Sequence, residues 1–190
     1  VTDKSLFGVS LTAAQFGAAN SFFIFLLAPV FALLWTRLGK RGLEPSTPVK
    51  FSLGIAQAGL GFGALVYGAQ FPNEVGVVSA WWLICAYLLH TTGELCLSPV
   101  GLSAVTKLAV PSVVGVMMGT WFLASAYSSY VAAQIATIAA QPASATVADS
   151  ADALAGYTEL FSQLLVIGLA GGAVLLILSP LLKKWMHGIH

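Results

Sequence analysis

Residues 81–103 read WWLICAYLLHTTGELCLSPVGLS, and this stretch decides the fold. Its first half is a run of large apolar side chains. It predicts a helix able to enter a bilayer, which takes about 20 residues to cross. Glu94 stands in the middle, with Gly93 before it and the Ser98–Pro99 pair after it. A carboxylate at bilayer depth costs roughly 2.5–3.5 kcal/mol on insertion scales, and such residues usually face a cavity or a partner. The remaining acidic residues fall near segment ends or in polar linkers. By sequence Glu94 alone is far from water, and a functional role is the reading that explains its presence.

Composition supports a membrane protein. Of 190 residues, 58% are hydrophobic and only 8% charged, with a mean hydropathy of +0.89; a soluble domain carries about 25% charged residues. A net charge of +1 without an extended basic patch argues against a nucleic-acid partner. Cys85 and Cys96 share one apolar segment. They fit neither a disulfide nor a metal site, and read as small buried hydrophobes. The chain starts at Val1 with no basic-then-apolar signal peptide, as expected of a piece of a longer protein.

Working outward from residues 81–103, five apolar segments are long enough to span a bilayer: about 13–35, 49–70, 77–105, 113–140 and 160–182. Pro29 and Pro99 are expected to bend their helices, since each removes a backbone donor. Arg37, Lys40 and Arg41 lie between spans one and two with Lys50 at the very start of span two, Lys107 lies between three and four, and Lys183 and Lys184 after five. The alternate linkers hold Glu74, and Asp149 with Asp152, and no Lys or Arg; Lys4 and Asp3 lie at the start. The positive-inside bias therefore puts the amino end outside and the carboxyl end in the cytoplasm, and implies an earlier span. Compact linkers with little charge suit a bacterial inner membrane. Gly54 with Ala58, Gly59 with Gly63, and Gly168 with Gly172 are small residues four apart, a pattern for close helix packing rather than for a ligand.

Three spans carry a polar or aromatic face. On span three, Tyr87, His90 or Thr91, Glu94, Ser98 and Gly101 recur at three- and four-residue intervals. On span four, Trp121, Ser125, Ser128 and Ala132 align; on span one, Phe16, Asn20 and Phe23 do, with Gln15 near the outer end. Three such helices can enclose a wet cavity presenting an anion, an amide and an indole. Each feature has a plainer reading beside it. Asn20 either serves a ligand or hydrogen-bonds a neighbouring helix. Trp121 lines a pocket or packs against core or lipid, and the serines of span four can bond back to their own helix carbonyls. His90 reads as a partner for nearby polar groups. His90 and Glu94 stand four apart, but no second ligand pair supports a metal. A carboxylate in this setting can hold either a proton or a cation, and exchanging one for the other would couple proton and substrate occupancy.

The text WLICAYLLHTTGELCLSPVGLSAVTKLAV (82–110), followed by MMGTWFLASAY (117–127), resembles the proton-dependent oligopeptide transporters, a family of the major facilitator superfamily. QFGAANSFFIFLLAPVFALLW (15–35) is similar to that family's eighth helix. PSTPVKFSLGIAQAGLGF (45–62) is similar to its entry to the ninth. The resemblance implies an all-α membrane protein in which the five spans correspond to helices 8–12 of the carboxyl-terminal bundle. The first helix of that bundle and the amino-terminal half are then missing. It also implies proton-coupled symport of di- and tripeptides by alternating access. Glu94 would bind the peptide amino terminus and take part in proton coupling, Asn20 would hydrogen-bond the peptide, and Trp121 and Phe122 would line side-chain pockets. Ser125 and Ser98 complete the candidate substrate-binding set. No metal or organic cofactor is implied; the coupling ion would be H+. Ser21 departs from the proline common in the family at that place, and SAYSSYVAA (125–133) from a glycine-asparagine pair. Two other readings stay open. One is a symporter of the same family for a non-peptide substrate such as nitrate; the other is a structural membrane subunit. A membrane enzyme is disfavoured, because no nucleophile–base pair or metal-ligand cluster appears at bilayer depth.

Overall fold

A computed structural model of the chain describes residues 5–6, 9–10, 13–73, 77–139 and 147–186. Asp3, Lys4, Glu74 and Ala140 lie outside them, as do the side chains of Gln15, Phe16, Asp149 and Asp152. Five helices make the bundle: α1 (Ala13–Lys40), α2 (Thr47–Gly68), α3 (Ala80–Leu108), α4 (Val114–Ala139) and α5 (Val147–Trp185). Ahead of them two short strands, β1 (Ser5–Leu6) and β2 (Val9–Ser10), pair antiparallel, Ser5 with Ser10 and Leu6 with Val9. Nothing in the apolar periodicity anticipated that pairing.

Among the described residues, α1, α2, α3 and α5 are long and apolar enough to cross a membrane. α4 has the length, 26 residues, but Thr120, Ser125, Tyr127, Ser128, Ser129 and Tyr130 dilute its apolar character. α5 runs for 39 residues, about 58 Å of helix against about 30 Å of hydrocarbon. It starts well before Leu160 and takes in Asp149 and Asp152, which the sequence reading leaves in a linker. Alanine-rich sequence holds a helix, and acidic residues suit its positive amino-terminal end. α1, α3 and α5 each run on through their internal proline, Pro29, Pro99 and Pro180.

Chain reversals follow from local chemistry. α1 stops because Gly42 takes φ 66°. Leu43 N then donates to Leu38 O and Gly42 N to Gly39 O, each at 3.0 Å, the left-handed glycine cap of a helix end. Pro48 opens α2, where the first turn needs no amide donor. Between the two helices the Glu44 carboxylate pairs with the buried Lys50 ammonium, which also stands 4.7 Å from the Trp35 ring centroid. At the other end of α2, Asn73 Oδ1 accepts from Val77 N at 2.9 Å, and Ser79 caps α3.

α2 is the hub, and glycine makes it so. One face carries Gly54, Gly61 and Gly68, seven apart, against α3: Gly54 meets the Gly93 carbonyl and Leu97, Gly61 the His90 ring, and Gly68 the Trp82 indole. A second face carries Ser52, Ala56, Gly59 and Gly63 against Gly172, Gly168 and Leu165 of α5. Ser52 Oγ donates to Gly172 O at 2.7 Å and seals that contact. α1 packs along α3, and α4 touches α3 and α5 only lightly. Glu44, Lys50 and Lys107 line one small cleft, and Gly39, Glu44 and Lys183 another, so three basic linkers gather at one end of the bundle.

The close approach yields a graded prediction. A Cβ on Gly168 would sit 2.6 Å from the Gly59 Cα, which is backbone and cannot yield, whereas one on Gly171 would rest 3.6 Å from Ile55 Cγ2. Gly168→Ala is expected to cost about 1–3 kcal/mol by overpacking. Gly171→Ala should hold or gain stability, since alanine is the better helix former. Thermal unfolding of the purified protein in detergent would rank them, and equal melting temperatures would refute the packing account.

Candidate functional site

Glu94 is the central residue of α3, with fourteen residues of the Ala80–Leu108 helix on either side. Its side chain is exposed on the side of the bundle that α1 and α4 flank. Depth along a helix and burial are separate quantities. Glu94 stands midway along its helix, on an open face of the described residues. An apolar pocket of about 260 Å³ lies apart from it, lined by Leu65, Val78, Leu154, Tyr157 and Phe161.

Asn20 of α1 reaches this carboxylate: its Nδ2 donates to Glu94 Oε2 at 3.4 Å. The same amide accepts through Oδ1 from the hydroxyl of Thr91, which is fully buried. Thr91 Oγ1 also lies 2.7 Å from Tyr87 O, one turn back on α3. Asn20 therefore does bond a neighbouring helix, and the group it bonds includes Glu94. Thr91 shares a face with Glu94 in the sequence pattern, but its link to Asn20 has no signal there.

His90 points the other way, into α2. Its Nε2 lies 3.0 Å from Ala58 O and its ring 4.7 Å from that of Phe62, which makes it a cross-helix pin between α2 and α3. Cys96 is buried, Cys85 half-buried, and both are free thiols. On α4, Trp121 lays its indole on Gly101 of α3; a Cβ there would meet Trp121 Cη2 at 2.2 Å. Phe122 is 58% exposed, and Ser125 donates to Trp121 O at 3.1 Å. Ser128 and Ser129 both donate to Ser125 O, so the serines of α4 bond back to their own helix. Ser98 is half-buried one turn beyond Glu94. Glu94 and Asn20 thus meet directly, Trp121 joins them through α3, and Phe122 and Ser125 stand exposed on α4.

Long apolar helices presenting one carboxylate at mid-depth, fastened by an amide from the next helix, define a polytopic membrane protein with an ionisable polar face. The known proteins it resembles are transporters. The model of the POT family (PTR2) matches residues 2–155. Over 97% of its length the chain is 43% identical to an uncharacterized transporter, YclF, of Bacillus subtilis, and over 96% it is 35% identical to dipeptide and tripeptide permease B of Aliivibrio fischeri. A crystal structure of a peptide transporter POT in complex with sulfate superposes with a TM-score of 0.77 at 35% identity over 96% of the chain. The chain belongs to the POT family of transporters and has the helical fold of the major facilitator superfamily. It spans 34% of the length of YclF and of the crystallised transporter, and 37% of the permease.

The Trp121–Gly101 contact predicts that Gly101→Ala turns the indole away from α3. With Trp35, Trp81, Trp82 and Trp185 replaced by phenylalanine, the emission of Trp121 should shift on that substitution. An unchanged spectrum would mean that the indole does not rest on Gly101.

Proposed function

We propose that the protein of which this chain forms the helix 8–12 part is a proton-coupled symporter of di- and tripeptides. The carrying observation is the exposed Glu94 carboxylate at the centre of α3, held by Asn20 on a face otherwise free of charge among the described residues. A peptide brings an ammonium at its amino terminus. An anion at bilayer depth can trade a proton for that ammonium, which is the coupling step a symporter needs. Asn20 is the amide beside the bound amino terminus, and Trp121, Phe122, Ser125 and Ser98 border the substrate. Support for peptides as the cargo comes from the permeases among its relatives.

An open face needs an opposite wall. In this reading the amino-terminal half of the transporter supplies it, and the two halves rock about a site near the midplane, as in secondary transporters generally. The basic linkers gathered at one end then mark the cytoplasmic side of a bacterial inner membrane, with the amino end of the chain outside. A nitrate transporter of the same family would need a cation where Glu94 stands, so the carboxylate favours peptides over that alternative.

The test is dipeptide uptake into proteoliposomes holding the full-length protein, with and without an inward proton gradient. Gradient-driven uptake, competed by other dipeptides but neither by free amino acids nor by amino-terminally acetylated dipeptides, is expected. Glu94→Gln should reduce coupled uptake to background while leaving the melting temperature within a few degrees of the parent, as substitutions away from packed features usually do. Full gradient-driven uptake by the glutamine variant would sink the assigned role of Glu94.

A further inference from the structure

Thr91 has one hydroxyl proton and two acceptors within reach, Tyr87 O at 2.7 Å and Asn20 Oδ1. With the Asn20 amide as it stands, Nδ2 donates to Glu94 Oε2 and the Thr91 proton goes to Asn20 Oδ1. This arrangement fits an ionised Glu94, which only accepts. Turning the amide by half a revolution exchanges its two ends. Nδ2 then donates to Thr91 Oγ1, the hydroxyl proton passes to Tyr87 O, and Asn20 Oδ1 faces Glu94 Oε2. Two acceptors cannot share that contact unless Glu94 carries a proton. An ionised Glu94 thus fits only the orientation that turns Nδ2 toward it, whereas a protonated Glu94 also satisfies the reverse orientation, in which it donates to Asn20 Oδ1.

We infer that Thr91 is a positioning residue that ties the orientation of the Asn20 amide, and with it the α1–α3 contact, to the protonation of Glu94. The inference rests on the transport reading above and deepens it. In the ionised state the amide clamps one oxygen, leaving Oε1 on the exposed face for a peptide ammonium. In the protonated state, with the proton taken from solvent onto Oε2, Glu94 donates to Asn20 and presents no anion. The exchange needs no movement of backbone, only a half-turn about the Cβ–Cγ bond of Asn20.

Other groups leave this pairing to itself. α1 has no charged residue among those described before Arg37, α2 none between Phe51 and Gly68, and α4 none at all. Of the titratable groups on the packed elements, His90 is turned to Ala58 O, Lys50 is paired with Glu44, Tyr127 and Tyr130 are exposed on α4, and Tyr87 lies half-buried on α3 itself. Burial of Thr91 matters as well. With 0% exposure its hydroxyl has no water to turn to, so it must choose between the two carbonyl oxygens.

The experiment compares Thr91→Val, which keeps the shape and removes the hydroxyl, with Thr91→Ser, which keeps the hydroxyl, in full-length protein in proteoliposomes. Dipeptide uptake is followed across the acid-to-neutral range. Thr91→Val should raise the half-saturating dipeptide concentration about fivefold, the equivalent of one net hydrogen bond, and flatten the pH profile; Thr91→Ser should restore both. In an Asn20→Ala background Thr91→Val should add nothing. Thr91→Ala carries the same comparison if the valine protein does not reach the membrane. Parental pH profile and affinity in a transporting Thr91→Val protein, or a serine variant that behaves like the valine one, would overturn this inference and leave peptide transport standing. Absence of peptide uptake by the unmodified protein would overturn both.

Discussion

The bundle depends on how closely α2 approaches its two neighbours. With Gly54 against Gly93 on one side and Gly59 against Gly168 on the other, three backbones come within a distance that a single methyl group would prevent. In a bilayer, association cannot draw on the hydrophobic effect, because lipid tails are as apolar as leucine. Dispersion contacts between closely packed backbones, and hydrogen bonds such as Ser52 to Gly172 O and His90 to Ala58 O, have to supply it. The glycines are therefore what allows α3 to have a fixed position. Once α3 is fixed against α2, its other side, with Thr91 at the edge and Glu94 in the open, is fixed as well.

That division of one helix into two sides explains where its polar groups go. His90 and Glu94 are four residues apart, yet His90 serves the packed side and Glu94 the open one. Leu95 and Cys96 are buried beside them. A carboxylate midway along a membrane-length helix needs partners. Asn20 provides one and Thr91 holds Asn20 in place. The cost of an ionisable group in the membrane is met by neighbours on two helices, which is why the site cannot be read from α3 alone.

The five helices and their order were legible because hydropathy is read one segment at a time. Glu94 was legible because a lone carboxylate in the middle of an apolar run has few benign explanations. The Gly59–Gly63 and Gly168–Gly172 pairs were legible as packing motifs, but that they face different partners from Gly61 and Gly68 was not. The heptad spacing of Gly54, Gly61 and Gly68 is present in the sequence and becomes meaningful only when the His90 and Trp82 rings are seen to rest on it. The bond from Asn20 to Thr91 joins residues 71 positions apart, and nothing local to either encodes it. The amino-terminal stretch of α5 was missed for a different reason. Its acidic residues lower hydropathy without weakening the helix, so a rule about membranes drew the boundary where a rule about helices would not.

The elements that carry the polar face are also unequal in how firmly they are held. α2, α3 and α5 interlock through glycine, whereas α1 is joined mainly to α3, and α4 touches the bundle lightly and exposes Phe122, Leu123, Tyr127 and Tyr130. The chain spans about a third of its relatives' length, so the apolar faces that α1 and α4 leave open are faces on which the rest of a transporter packs in the reading above. Within the chain, the glycine-interlocked helices give the site one fixed wall, α3. The bond between Asn20 and Thr91 joins that wall to α1.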